Sequence, residues 1–213
     1  METKKRIFLE KISQLYKQQG IKSLSMEAIA GHIGLSKKTL YNYFHSKEQM
    51  VDALIHYHFA KNKEAFSALA QEKINAIEKL VRVSDLLYVF FQEFSPTMLD
   101  DLRKLYPYLS HKNKTSFREH LTSEVAKNIE SGIREGLYVA TFNVQLITHY
   151  FVFSLQHLLT HDFMTDKEIT PAILYKQLII YHIRGLASEK GRHYLAQYAS
   201  ASPAPDSNTH KTA

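Results

Sequence analysis

The stretch Ser25–Met50, SMEAIAGHIGLSKKTLYNYFHSKEQM, contains two short runs of apolar residues at helical spacing, separated by one glycine. Ser25 and Ser36 each precede a run, where a serine oxygen can accept the unpaired backbone N–H groups of a helix start. Gly34 suits the positive φ at which the first helix must end, and Ala30 is small where the two helices would approach. The stretch therefore predicts a helix-turn-helix, with an ordinary helical hairpin as the alternative.

The second helix of this motif carries polar side chains on the face that packing does not use. These residues are Lys37, Lys38, Thr39, Asn42 and Tyr43. They are rich in hydrogen-bond donors, and no carboxylate among them would repel phosphate. Lysine can pair with phosphate or bond guanine, and asparagine can bond adenine, so this face favours a DNA-binding helix over an ordinary hairpin.

Positive charge is concentrated in the same part of the chain. The net charge is +6, and residues 1–50 hold nine Lys and Arg against four Asp and Glu. Lys47 adds a cation beside the start of the next predicted helix, whose free N–H groups also attract an anion. A basic excess in one small region is typical of a module that binds a polyanion, although an evenly solvated lysine face can give a similar count.

The absence of cysteine excludes disulfides and thiolate metal sites, so we expect an intracellular protein. The N-terminus is charged and does not resemble a signal peptide, and the longest apolar stretch, near residues 150–159, is too short to span a bilayer. These features predict a cytoplasmic protein that has no membrane partner.

Apolar residues at i, i+3, i+4 and i+7 and the scarcity of glycine and proline predict an all-α fold. The first four helices are predicted up to Gly20, from Ser25 to Ile33, from Lys37 to Phe44, and from Lys47 to about Leu69. Further helices are predicted at about 72–94, 97–106, 113–135, 143–161 and 170–198. We expect a three-helix DNA-binding domain at 1–48, a larger helical effector-binding and dimerisation domain at 49–198, and a disordered tail at 199–213.

The run IAGHIGLSKKTLYNYFHSKEQM closely resembles the DNA-binding segment of TetR-family transcriptional regulators. The resemblance covers about the first quarter of the chain, and the remainder resembles the family only in length and helical pattern. It implies a homodimer whose two recognition helices enter successive major grooves of a palindromic operator. It also implies that a small molecule binds the second domain and weakens DNA binding, as in a repressor.

Carried over by position, the DNA-binding residues are Ser25, Ser36, Lys37, Lys38, Thr39, Tyr41, Asn42, Tyr43 and Lys47. The two serines would bond phosphates near their helix starts, Tyr41 and Lys47 would clamp the backbone, and the others would face the groove. Lys38 stands where many family members have glycine, so base preferences known for the family do not transfer directly.

Aromatic residues are frequent after residue 85, and a helical domain lined with them could enclose an apolar or amphipathic effector. The candidate ligand-binding residues are Phe90, Phe94, Tyr106, Phe117, Tyr150 and Phe153, although most aromatic residues at helical spacing belong to a core. Polar groups near these segments could orient the ligand or lie on the solvated surface. They are Arg103, His120, Gln145 and His149.

The last two predicted long helices carry apolar stripes that could form a four-helix bundle between two subunits. The stripes are Ile147, Phe151, Ser154, Leu155 and Leu158 on one helix, and Leu174, Leu178, Tyr181, Ile183 and Leu186 on the other. Burial of both stripes inside one chain is the alternative.

Other functional classes have less support in the sequence. His157 and His161 have the spacing of two metal ligands, but no third ligand is evident, so we predict no metal and no cofactor. A phosphate-binding glycine loop, a nucleophile elbow and an HExxH motif are all missing, which argues against an enzyme. A DNA-binding architectural or regulatory protein without an effector remains the alternative function.

Overall fold

The structure is a computed structural model that describes residues 2–158 and 171–201. Within these ranges the helices are α1 (Glu2–Gln19), α2 (Met26–Ile33), α3 (Lys37–Tyr43), α4 (Lys47–Gln71), α5 (Ala76–Gln92), α6 (Pro96–Leu105), α7 (Pro107–Arg134), α8 (Val144–Leu158), α9 (Pro171–Leu186) and α10 (Glu189–Ala201). The prediction of an all-α fold is confirmed. None of these helices combines the length and the apolar character needed to cross a lipid bilayer.

The first core of the fold is formed by α1, α2, α3 and the first half of α4. Its fully buried side chains include Ile12, Ile29, Leu40, Phe44 and Leu54. Burial of one apolar face on each short helix supplies the stability that helices of seven or eight residues lack in isolation. The predicted inward orientation of the apolar residues in α2 and α3 is therefore confirmed.

Helix α6 is attached to this N-terminal core. Met98 on α6 is completely buried there, and Asp101 accepts a hydrogen bond of 2.8 Å from the backbone N–H of Lys22. Gly20 ends α1 with φ +80°, and a Cβ at this glycine would lie 2.7 Å from the Asp101 Oδ2 atom. The left-handed backbone favours glycine here, and a larger residue would also displace the Asp101 side chain of α6.

The second core lies between the rest of α4 and helices α5, α7, α8, α9 and α10. Ile77, Leu121, Phe151 and Ile183 are among its most deeply buried members. Phe59 and Phe94 pack against both cores and so mark the junction between them. Helix α4 runs without a break through the domain boundary predicted at residue 48, and that boundary stays a prediction.

The prediction of one long helix at 170–198 is wrong, because two separate helices, α9 and α10, occupy this part of the chain. The Ser188 N–H donates to the Leu137 carbonyl at 2.9 Å, which takes this backbone out of the helical pattern. The Ser188 hydroxyl oxygen then accepts the Gly191 N–H at 3.1 Å and so begins a new helix. The spacing of the apolar residues does not indicate that α9 ends before Ser188.

Other predicted boundaries differ by smaller amounts. Helix α7 starts at Pro107, six residues before the predicted start at 113, because proline is well tolerated in the first turn of a helix. The predicted end of the helix at 143–161 lies partly outside the described residues. The same holds for the predicted disordered tail at 199–213, of which only the first three residues fall within α10.

The apolar stripes predicted for dimerisation are largely buried inside the chain itself. Phe151, Leu155, Ile183 and Leu186 are each no more than 2% exposed and belong to the second core. Another apolar face of α8 and α9, which includes Tyr181 of the predicted stripe, is open to solvent. Its residues are Leu146, Tyr150, Phe153 and Tyr181, each at least 60% exposed.

Candidate nucleic-acid interface and ligand cavity

The turn between α2 and α3 has the geometry expected of a tight helix-turn-helix. Ser25 Oγ accepts the Ala28 N–H and Ser36 Oγ accepts the Thr39 N–H, each at 3.1 Å. Gly34 adopts φ 76° and ψ 33°, the left-handed conformation that ends α2. The predicted caps and the predicted turn are confirmed.

The orientation of α3 is set by its buried side. Leu40 is completely buried in the N-terminal core, which turns the opposite face of this short helix to solvent. Lys37, Lys38 and Asn42 are exposed on that face, and Thr39 is half-buried with its hydroxyl 2.8 Å from Ser36 Oγ. Four of the five side chains predicted to face the groove are thus exposed or half-buried on α3, and we call them the recognition face (Lys37, Lys38, Thr39 and Asn42), whereas the fifth, Tyr43, packs against α1.

The two tyrosines of α3 are half-buried and border this face. The Tyr43 ring packs edge-on against Phe8 of α1, with ring centroids 5.1 Å apart. The Lys37 ammonium lies 6.0 Å from the centroid of the Tyr41 ring. Both rings are therefore held by contacts within the N-terminal domain rather than freely extended into solvent.

Sequence reasoning missed Glu27, which forms an ion pair with Lys37 from the first turn of α2. The hydrogen bond from Lys37 lowers the pKa of the Glu27 carboxyl, and Glu27 in turn raises the pKa of Lys37. No carboxylate lies on α3 itself, but the fold brings one next to its first lysine. The two residues are ten positions apart on different helices, so no periodic signal connects them.

Lys47 lies at the first position of α4, after the Ser46 cap. Its side chain is half-buried, and burial lowers the pKa of its ammonium, while the nearby Asp101 carboxylate acts in the opposite direction. Lys47 therefore lies between the predicted DNA-binding surface and α6.

A cavity of about 390 Å³ lies at the junction of the two cores, between α4, α5, α6, α7 and α8. We call it the junction cavity. Four phenylalanines predicted to bind a ligand line it, namely Phe90, Phe94, Phe117 and Phe153. The rings of Phe90 and Phe117 are stacked, with centroids 5.5 Å apart and planes 9° apart. This volume falls in the usual range for small-molecule sites.

The other two predicted ligand residues, Tyr106 and Tyr150, line neither cavity described for this chain. Tyr106 follows the last residue of α6 and packs against the N-terminal core. Tyr150 is 63% exposed on the outer face of α8. Both were predicted to bind a ligand because they are aromatic, but the residue type does not show whether a side chain faces a cavity or the solvent.

Four of the eight polar residues that line the junction cavity are basic. Arg103, His111, Lys114 and Arg118 line it, and no Asp or Glu is present among the lining residues that the structure describes. Of the polar groups considered from the sequence, only Arg103 takes this position. The basic residues of α7 were not predicted to line a cavity, because the sequence does not show which face of α7 meets the other helices.

A second cavity, of about 370 Å³, lies between α4, α5 and α7. Several of its polar groups are already paired within the protein: Asn128 donates to the Ala76 carbonyl at 2.8 Å, and Lys127 bonds Glu124 at 2.8 Å. It offers a ligand fewer unpaired polar groups than the junction cavity does.

His161, and the side chain of His157, lie outside the described residues, within which no group of three metal-ligating residues occurs.

Residues 8–54 match the family described as bacterial regulatory proteins, tetR family. This match covers the helix-turn-helix and the helices on either side of it, and it confirms the resemblance of this segment to TetR-family regulators. A relative from Bacillus subtilis (strain 168), the uncharacterized HTH-type transcriptional regulator YvaF, is 23% identical over 187 residues, which cover 87% of this chain and 96% of the relative. The family match and this relative confirm the prediction of a transcriptional regulator rather than an enzyme.

Solved structures of a TetR-family regulator and of a receptor protein share the fold along most of the chain. The regulator PfmR from Thermus thermophilus is 21% identical with a TM-score of 0.63, covering 85% of this chain and 99% of PfmR. A gamma-butyrolactone receptor (ArpA-like protein) is 19% identical with a TM-score of 0.63, covering 93% of this chain and 95% of the receptor. At these identities the likeness concerns the fold, including the large helical second domain.

Proposed function

We propose that this protein is a ligand-responsive repressor of the TetR family that binds a palindromic operator as a homodimer. The observation that carries the proposal is the position of α6 between the helix-turn-helix and the junction cavity. Asp101 holds the α1–α2 turn through Lys22, while Leu99 and Arg103 of the same helix line the cavity. A molecule in the cavity therefore contacts a helix that supports the DNA-binding domain.

The exposed recognition face supports DNA binding. Lys37, Lys38 and Asn42 stand on one side of α3, where they can bond base edges and phosphates in a major groove. Ser25, Ser36, Tyr41, Tyr43 and Lys47 surround them and are proposed as contacts that position the helix on the DNA backbone. The basic charge of residues 1–50 supplies the long-range attraction.

A second copy of the chain is the proposed partner of the open apolar face on α8 and α9. Leu146, Tyr150 and Phe153 recur at i, i+4 and i+7 on α8, so they share one side of that helix, and Tyr181 is exposed on the adjacent α9. Pairing this face with its copy gives a four-helix bundle with two-fold symmetry. Two recognition helices related in this way would suit half-sites about one DNA turn, roughly 34 Å, apart.

An apolar or amphipathic small molecule is the proposed effector of the junction cavity. A gamma-butyrolactone receptor shares the fold, and its name identifies a small-molecule ligand. Release of DNA requires that the effector prefer the arrangement of the dimer that cannot bind the operator. A coupling free energy of roughly 1–3 kcal/mol would lower operator affinity by about 5- to 150-fold.

Sequencing the DNA fragments that the purified protein selects from a random pool tests the first part of the proposal. We expect one palindromic sequence, bound by two chains, and selection of fragments without two-fold symmetry would contradict it. A screen of small apolar compounds for saturable thermal stabilisation separates the proposed function from a regulator that has no effector, because only a binding site gives a mass-action shift.

A further inference from the structure

The mouth of the junction cavity carries basic side chains from two facing helices. Arg103 projects from α6, and His111, Lys114 and Arg118 project from α7. The buried part of the cavity contains the rings of Phe90 and Phe117, which are less than a tenth exposed, whereas the four basic side chains and Phe153 are exposed where the cavity opens to solvent. One end of the cavity is therefore apolar and the other is positively charged.

This arrangement of charge is unfavourable without a ligand. Lys114 and Arg118 are four residues apart on α7, and like charges at this spacing destabilise a helix. Within the described part of the chain neither forms an ion pair. Arg103 bonds Asp100 at 2.7 Å, but the same carboxylate also pairs with Lys104 at 2.6 Å. The positive charge at the mouth is thus incompletely balanced by the protein.

We propose that the effector is an organic anion, with an apolar body among the phenylalanines and a carboxylate or phosphate head at the mouth. This inference rests on the proposed effector function of the junction cavity. A guanidinium and an ammonium on adjacent turns of α7 can each donate charge-assisted hydrogen bonds to one anionic head, and Arg103 can donate from the other side. An ammonium head group would be repelled by these basic side chains. A hydroxyl head group could accept hydrogen bonds from them but carries no charge to strengthen those bonds.

The same contacts connect the anion to the DNA-binding domain. Arg103 and Asp101 lie two residues apart on α6, and Asp101 holds the backbone of Lys22. An anionic head drawn between α6 and α7 therefore acts on the helix that supports the α1–α2 turn. The charge of the effector contributes to release of DNA as well as to affinity.

The test compares ligands that share an apolar body and differ only in their head group. Octanoate, octanol and octylamine form one series, and phenylbutyrate, phenylbutanol and phenylbutylamine form the other. Isothermal titration calorimetry with the whole protein at low salt should show the carboxylate binding roughly tenfold more tightly than its alcohol in at least one series. An alcohol or amine that binds as tightly as its carboxylate in both series overturns the anion assignment but leaves the effector site intact. Failure of all six to bind overturns both the effector site and the assignment.

Neutralising single cations identifies where the head group lies. Lys114→Gln and Arg118→Gln should each weaken carboxylate binding roughly threefold or more, with little change for the alcohol. Lys127→Gln is the matched control, because it removes the same charge from α7 at the other cavity. Equal carboxylate affinities in Arg118→Gln, Lys114→Gln and the control would overturn the proposed head-group site, and circular dichroism confirms that each variant is folded.

Discussion

Ser13 Oγ and His58 Nε2 lie 2.8 Å apart and share a buried hydrogen bond that joins α1 to α4. Ser13 is 2% exposed and His58 is 4% exposed. The His58 ring also packs edge-on against Phe94, at 5.2 Å between centroids, and Phe94 lines the junction cavity. The pair thus belongs to a continuous row of contacts from the cavity to the first helix of the DNA-binding domain.

Replacing Ser13 with alanine should destabilise the protein by about 1–3 kcal/mol, because the His58 nitrogen would lose its partner while remaining buried. Ser23→Ala is the control, since the Ser23 hydroxyl bonds the Gln19 carbonyl at an exposed position and its loss should change stability by less than about 0.5 kcal/mol. Urea unfolding measures both. Equal losses in the two variants would show that the buried bond has no special importance.

Acid should destabilise the protein through His182. Burial of this ring, which is stacked on Phe151 at 3.7 Å, lowers its pKa from 6.5 to about 4. The unfolded chain therefore takes up a proton near pH 6.5 and the folded chain only near pH 4. The contribution is fully present above pH 6.5 and is lost as the pH falls toward 4, by on the order of 3 kcal/mol.

His182→Phe should remove this part of the pH dependence, because His182 Nε2 has no hydrogen-bond partner to lose and a phenyl ring can keep the stacking. The measurement is the difference in unfolding free energy between variant and parent at several pH values from about 7.5 to 4. Carboxylates titrate in both proteins and cancel in that difference. A difference that does not change with pH would contradict the assignment to His182.

The helix-turn-helix could be predicted from the sequence because its signals are local. A serine cap and a left-handed glycine act on backbone groups within a few residues, so Ser25, Gly34 and Ser36 fix both ends of α2 and the start of α3. The inward side of α3 followed from apolar spacing. The Glu27–Lys37 pair did not, because it depends on how closely α2 and α3 approach.

The second domain was predictable only as a set of helices. The junction cavity arises where five helices converge, and no spacing in one helix shows which of its faces meets another. Tyr150 was assigned to the cavity and lies outside it, while Arg118 and Lys114 line it and were not considered. The break at Ser188 was hidden for the same reason, since it depends on the carbonyl of the distant Leu137.

Lys47→Ala should weaken binding to all DNA sequences and flatten the dependence of log K on log salt by roughly one unit per subunit, because one phosphate contact is lost. Asn42→Ala should leave the slope unchanged and relax preference at one position per half-site, at about 1–3 kcal/mol if its contact is bidentate. Filter binding across a salt series separates the two. A Lys47→Ala slope equal to that of the parent would remove Lys47 from the phosphate contacts.

Tyr150→Glu combined with Tyr181→Glu should convert a dimer into a monomer, because charges would be buried in the proposed bundle without partners. Light scattering at micromolar concentration should report about twice the chain mass of 24.7 kDa for the parent and the single chain mass for the variant. Tyr108→Glu is the control, since Tyr108 is 73% exposed and lies on α7 rather than on α8 or α9. A monomeric parent, unchanged by operator DNA, would contradict the dimer itself.

Glu27→Gln should strengthen DNA binding. The Glu27 carboxylate holds the Lys37 ammonium beside α2, and it also adds a negative charge to a surface that must approach phosphates. Its neutralisation frees Lys37 and removes the repulsion, so affinity for any duplex should rise roughly two- to fivefold with a steeper salt dependence. Glu64→Gln makes the same change in net charge at an exposed position on α4 and should have a much smaller effect.

A double-mutant cycle shows whether the gain acts through Lys37. In a Lys37→Gln background, Glu27→Gln should lose most of its effect, because no cation remains to be released. An equal gain in both backgrounds would instead assign the whole effect to repulsion between Glu27 and phosphate. If Glu27→Gln weakens binding, the ion pair orients Lys37 toward the groove, and the carboxylate is then a positioning residue for recognition rather than a competitor of the DNA.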